Sequence, residues 1–89
     1  MATASELRAR LEAEAEQCYS WSNGPGDTYA EHTHAYTKVL YCVGGAIDFL
    51  LRDGVLHLSA GERMELPAGT PHSAQVGPAG CLCIEGRRR

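Results

Sequence analysis

The sequence predicts an all-β barrel or sandwich led by one short helix. From Tyr19 onward, Gly, Pro and Asp-Gly punctuation recurs about every eight to twelve residues between short runs of β-forming side chains, the spacing of small barrels and sandwiches. Asp53-Gly54 is the clearest hairpin signal. Ahead of Tyr19 the character differs, because MATASELRARLEAEAE is polar and acidic, with apolar residues at a helical interval.

The helix is expected over residues 3 to 18. Thr3 and Glu6 have the spacing of a capping box, and Leu7, Leu11, Ala15 and Cys18 make a narrow apolar stripe. Arg8, Arg10, Glu12, Glu14 and Glu16 fill the other faces, so the helix is expected to lie on a surface, against a partner subunit, and to carry no chemistry. Strands are expected near 18–22, 28–34, 37–43, 46–51, 55–59, 63–66, 71–76 and 80–85. Turns fall between them at Asn23-Gly24-Pro25-Gly26, Gly44-Gly45, Arg52-Asp53-Gly54, Ala60-Gly61, Pro67-Ala68-Gly69 and Val76-Gly77-Pro78-Ala79-Gly80. No linker or repeat divides the chain, so residues 1–89 are expected to form a single domain: helix over 1–18, barrel over 19–86 and a solvated tail at 87–89.

A domain of 89 residues buries only about 60 to 65% of the surface its unfolded chain exposes. Its core is thin, and a bound metal, a homodimer or both are the expected supplements. The formal charge of -3 offers no basic surface for nucleic acid, Arg87-Arg88-Arg89 being the only basic run. No apolar stretch reaches the roughly 18 to 20 residues that span a bilayer, and the N-terminus does not read as a signal peptide. A cytoplasmic protein is expected. Cys18, Cys42, Cys81 and Cys83 are accordingly expected as reduced thiols. Cys81 and Cys83 lack the spacing of a structural zinc pair and read as small buried side chains.

Chemistry concentrates at Glu31-His32-Thr33-His34. Two histidines two positions apart on a strand point to one face and can share one metal ion. A third, His72, follows the PAGTP turn. With their spacings, the two segments read Gly26-x5-His32-x-His34-x3-Lys38-x6-Gly45 and Gly61-x5-Pro67-x-Gly69-x2-His72-x3-Val76.

This arrangement resembles the two-motif pattern of the cupin family and spans residues 26 to 76. The resemblance implies a single jelly-roll β-barrel of six to eight strands, commonly dimeric, with a metal in the barrel mouth on His32, His34 and His72. The chain departs from the pattern at two positions: Lys38 stands where the family usually places a glutamate ligand, and Val76 closes the second motif.

Three neutral imidazoles with open positions suit Zn²⁺ best and are acceptable to Ni²⁺, Fe²⁺ or Cu²⁺, whereas the missing carboxylate argues against a two-histidine, one-carboxylate iron centre. An ammonium about 6 Å from a divalent ion is repelled by about 5 to 6 kcal/mol at an effective dielectric of 20. Lys38 must therefore turn to solvent or to an acid such as Glu31, lose its proton, or pair with a bound anion as substrate anchor or general acid. The plainest outcome is a packed stem with its head at solvent, and it is the one expected. A cupin that has lost its metal is the bland alternative.

Among other polar residues, His57 between Leu56 and Leu58 is expected at the surface, and Glu31 is expected to face outward. Tyr36 shares parity with His34 and joins Lys38 as a candidate for orienting substrate; Tyr29 and Tyr41 read as packing. A nucleophile elbow, a phosphate loop and a CxxC pair are all missing from the sequence. The resemblance to cupins implies a metal-dependent enzyme of oxygenase or isomerase class acting on a small polar substrate; the alternative is a non-catalytic module that binds metal or a small molecule.

Overall fold

The computed structural model describes residues 2–89. It contains α1 (Ala4–Glu14), β1 (Ala15–Asn23), β2 (Thr28–His32), β3 (Lys38–Leu51), β4 (Gly54–Ser59), β5 (Arg63–Leu66) and β6 (His72–Arg88). The six antiparallel strands form a jelly-roll barrel.

Two long strands, β3 and β6, run beside each other through both halves of the barrel. In one half, Lys38–Tyr41 of β3 pair with β5, and Cys81–Arg88 of β6 pair with β1. In the other, Ala46–Leu51 of β3 pair with β4, and β6 from His72 to Gln75 pairs with β2. Leu40, Cys42, Met64 and Cys83 from the first half meet Ile47, Phe49, Leu58 and Val76 from the second in one buried cluster. The hairpin expected at Asp53-Gly54 joins β3 to β4, with Leu51 opposite Gly54.

The expected breaks at Gly44-Gly45 and Gly77–Gly80 are bends inside continuous strands. The β3–β6 register shifts between Cys42 and Gly44 and again between Gly45 and Ile47, so pairing resumes beyond each irregularity. Gly45 has φ +69°, and a Cβ there would sit 2.0 Å from the Gly80 carbonyl oxygen. Only glycine permits both that backbone and that approach.

The capping box forms as expected: the Glu6 amide donates to Thr3 Oγ1 at 3.2 Å, and the Thr3 amide donates to Glu6 Oε1 at 3.0 Å. The helix nevertheless ends at Glu14, not Cys18, because Ala15 onward is drawn into the ladder with β6, where Ala15 lies opposite Arg88. A bulge at Gln17, with φ 54°, turns Cys18 back toward the helix side. Ala15 and Cys18 thus pack with Leu7 and Leu11 as the stripe implied, but from a strand. That cluster includes Val39, Tyr41 and Ile84 on the outer face of the sheet, so α1 covers its own barrel. Each of Leu7 and Leu11, fully buried, contributes about 1.5 to 3 kcal/mol.

The expected tail at 87–89 is corrected too. The Arg88 amide donates to the Thr37 carbonyl at 2.9 Å, and its guanidinium reaches Glu14 at 3.0 Å and Glu65 at 3.2 Å. Glu14 anchors this end of the fold, also accepting from Arg63 at 2.6 Å and from the Tyr41 hydroxyl at 2.8 Å. Those hydrogen bonds, Arg63's above all, hold its carboxyl down at about 2. No helix among the described residues is long and apolar enough to cross a membrane.

Candidate metal centre

His32 closes β2 and His72 opens β6, and the two lie opposite each other in the ladder. His34 lies just beyond β2, before a bend at 35–36 that precedes β3. The turn at Pro67–Thr70 ties these pieces together. The Gly69 amide donates to the His34 carbonyl at 2.8 Å, and the Ala68 amide donates to Thr37 Oγ1 at 3.3 Å.

The structure brings His32, His34 and His72 together, with one donor atom from each lying within 4.8 Å of the others. Their ring centroids are 4.3 to 5.2 Å apart. His72 Nδ1 lies 2.9 Å from the Thr70 carbonyl oxygen and His32 Nδ1 lies 2.7 Å from that of Ala30. A carbonyl can only accept, so both Nδ1 atoms carry the proton and both Nε2 atoms present a lone pair. The Nε2 atoms of His34 and His72 are buried without a hydrogen-bond partner.

Burial lowers the pKa of His34, with the Lys38 charge and the other two imidazoles pushing the same way. Burial is also the largest cause of the lowered pKa of His72; the Thr70 carbonyl opposes it and His32 reinforces it. Both rings are held in the neutral form that a metal requires. The donor set fits a divalent ion: three neutral nitrogens, two with fixed tautomers and two otherwise orphaned.

A cavity of about 310 Å³ opens on the cluster, lined by Tyr19, Trp21, Tyr29, Ile47, Phe49 and Ala74, together with Lys38 and Glu85. Lys38 does not place its head at solvent. Its side chain is 8% exposed and its Nζ lies 3.4 Å from Glu85 Oε1; the Glu85 side chain is itself only 4% exposed. The same carboxylate accepts from Trp21 Nε1 at 2.7 Å. Snorkelling fails because the stem enters the barrel from β3 with Leu40 and Cys42 on its face, while β6 supplies a buried counter-charge. Tyr19, half-exposed at the rim, has its phenol pushed up to about 12 by burial and by the Glu85 charge.

Tyr36 is not part of the cavity wall. Its ring lies 5.0 Å from that of His34, and the Arg87 guanidinium covers it at 4.2 Å. Glu31 faces outward to Arg52 at 3.4 Å, and exposed His57 pairs with Asp48. Cys42 faces inward, but its thiol lies against the Gly44 and Gly45 carbonyls, and the three-histidine group does not include it. Sequence reasoning missed Glu85. The available signal was parity: Glu85 shares its face with Cys81 and Cys83, a lone carboxylate on the inward side of CLCIE.

A family model described as "AraC-like ligand binding domain" matches residues 14–84, which include all three histidines and Lys38. The chain belongs to this family. It is a small cupin domain, and its relatives in fold agree. A cupin-2 domain-containing protein from Shewanella frigidimarina superposes with a TM-score of 0.70 at 22% identity, covering 81% of this chain and 69% of that one. The DMSP lyase DddQ from Ruegeria pomeroyi gives a TM-score of 0.74 at 20% identity over 81% of this chain and 37% of its own. The polyketide cyclase RemF from Streptomyces resistomycificus gives 0.71 at 22% over 80% and 52%. This cupin domain therefore spans about a third of the lyase and half of the cyclase. No curated protein matches it in sequence.

Proposed function

We propose that this cupin domain holds one divalent metal ion on His32, His34 and His72 and offers its open coordination positions to a small polar molecule in the adjoining cavity. The observation that carries this reading is the pair of partnerless, buried Nε2 atoms on His34 and His72. Each orphaned acceptor costs about 1 to 3 kcal/mol, a penalty that metal binding removes. Zn²⁺ suits the three-nitrogen set best. When bound, the ion supplies Lewis acidity and a place for an oxygen donor. The chain's own residues do the rest: Thr70 and Ala30 fix the tautomers of His72 and His32, Tyr36 stacks beside His34 under Arg87, and the aromatic side chains line the cavity.

The proposed activity is that of a metal-dependent enzyme on a small polar substrate. Two relatives in fold carry enzyme names, a lyase and a cyclase, so the architecture is compatible with catalysis. The family's description as a ligand-binding domain favours a second reading, in which the ion and cavity bind a small molecule without transforming it. A structural zinc normally takes four protein ligands, and the three here leave room for an exchangeable one under either reading.

Metal analysis by mass spectrometry of the purified protein beside His72→Ala tests the centre. About one ion per chain in the native protein and almost none in the variant is expected. Equal, negligible metal in both ends the proposal. Substitution with Co²⁺ followed by azide then tests the open position that both readings need. A visible spectrum that does not respond marks a saturated ion and removes both.

A further inference from the structure

The cavity beside the histidines has a charge balance and a wall that together select a ligand class. The three donors are neutral imidazoles, so an ion held there keeps its full charge. Lys38 and Glu85, 3.4 Å apart and both buried, cancel each other. The acid nearest in sequence, Glu31, is turned outward to Arg52, and Glu85 is the only carboxylate in the cavity wall among the described residues. A divalent charge at this corner of the cavity therefore meets no net counter-charge in the wall, and an anionic guest is the natural complement.

The rest of the wall is apolar and flat. Trp21 and Tyr29 meet edge to face with centroids 6.0 Å apart, and the Phe49 ring lies 6.3 Å from that of His72. A volume of about 310 Å³ lies at the small end of ligand pockets, which run from about 300 to 1,000 Å³. It holds more than an anionic head and excludes a large guest.

We propose that the ligand is a small monoanion with a flat, apolar body, its anionic end at the three-histidine corner and its body against Trp21, Tyr29 and Phe49. This rests on the metal reading above. It also gives Lys38 a different part from that of a substrate anchor: Glu85 already satisfies its charge, so the ammonium offsets Glu85 and leaves the ion's field unquenched.

Trp21 is the chain's only tryptophan and lies in the cavity wall, so its fluorescence reports occupancy directly. The experiment titrates the zinc-loaded full chain with benzoate, benzamide and benzamidinium, which share a shape and differ in charge, and with acetate in competition against benzoate. Metal content is measured on the same samples. Benzoate is expected to bind about tenfold tighter than benzamide or acetate, and benzamidinium not at all. Glu85→Gln keeps the acceptor for Trp21 while unmasking the Lys38 charge, and is expected to weaken zinc uptake yet, once saturated with zinc, to tighten benzoate about three- to tenfold.

Benzamide equalling benzoate, acetate equalling benzoate, or benzoate failing to bind a fully zinc-loaded protein overturns the ligand class and leaves the metal centre standing. A native protein that takes up no zinc overturns both. An unchanged benzoate affinity in Glu85→Gln overturns the part given to the ion pair, and the probe series decides the rest even if that variant does not fold.

Discussion

Replacing Lys38 with methionine removes a charge from inside the barrel while keeping most of its volume. At 3.4 Å and an effective dielectric of 20, the Lys38–Glu85 attraction is worth about 5 kcal/mol, against which stands the cost of desolvating both groups. Breaking such a pair leaves an uncompensated buried carboxylate and costs about 3 to 5 kcal/mol. At the usual 0.05 to 0.15 kcal/mol per residue, a domain of 89 residues holds about 4 to 13 kcal/mol in all, so Lys38→Met removes a large share of it. The double variant Lys38→Met/Glu85→Gln leaves no charge to strand and keeps the acceptor for Trp21 Nε1. It is expected to recover all but about 1 to 2 kcal/mol of the loss. Urea unfolding of metal-free protein at neutral pH, followed by Trp21 fluorescence and by circular dichroism, measures all four corners of the cycle. A single variant within about 1 kcal/mol of native at equal slope, or a double variant as unstable as Lys38→Met alone, would refute the account of a buried, mutually dependent pair.

Three further outcomes are expected. Gly45→Ala should cost at least about 2 to 3 kcal/mol, because its Cβ would collide with the Gly80 carbonyl at a left-handed backbone position; Gly26→Ala, at φ +73° with open space around it, should cost about 1 kcal/mol, and equal urea midpoints for the two would refute the close approach. The lowered pKa values of His34 and His72 mean that the unfolded chain binds more protons below about pH 6.5, so metal-free stability should fall as pH drops through that window; urea midpoints that rise toward pH 5 would contradict the sign. Glu14, with its carboxyl held at about 2 against an ordinary 4.5, contributes stability that is full above the ordinary value and lost as pH falls toward the lowered one. Glu14→Gln should therefore flatten the acid limb of the stability curve, and an acid limb as steep as the native one would sink that assignment.

What could be read from the residues alone follows the range of the interactions involved. The cap at Thr3 and Glu6, the hairpin at Asp53-Gly54 and the turn at Pro67–Gly69 are local, and the structure has each where the pattern placed it. The meeting of His32, His34 and His72 was legible through the resemblance of the two segments to the cupin two-motif pattern. The fate of Lys38 was not, since its partner Glu85 comes from the far end of β6 and no spacing rule links them. The helix end was missed for a related reason: apolar periodicity reports which face a residue presents, and Ala15 and Cys18 present the expected face from a bulged strand. The C-terminal arginines read as a tail because Glu14 and Glu65, which bind Arg88, are remote in sequence.

The short strand β2 is hydrogen-bonded to β6 alone, and its five residues are exposed. His32 sits at its end, whereas His72 belongs to a strand flanked on both sides. The three imidazoles are therefore held by parts of the fold with very different opening free energies. Amide hydrogen exchange should be fastest along Thr28–His32, and an ion bound at the centre should leave at a rate set by the fraying of that strand, far faster than the barrel unfolds. A centre with one donor on an exposed edge strand, one on the loop beyond it and one on the frame can exchange its metal without losing the barrel's shape.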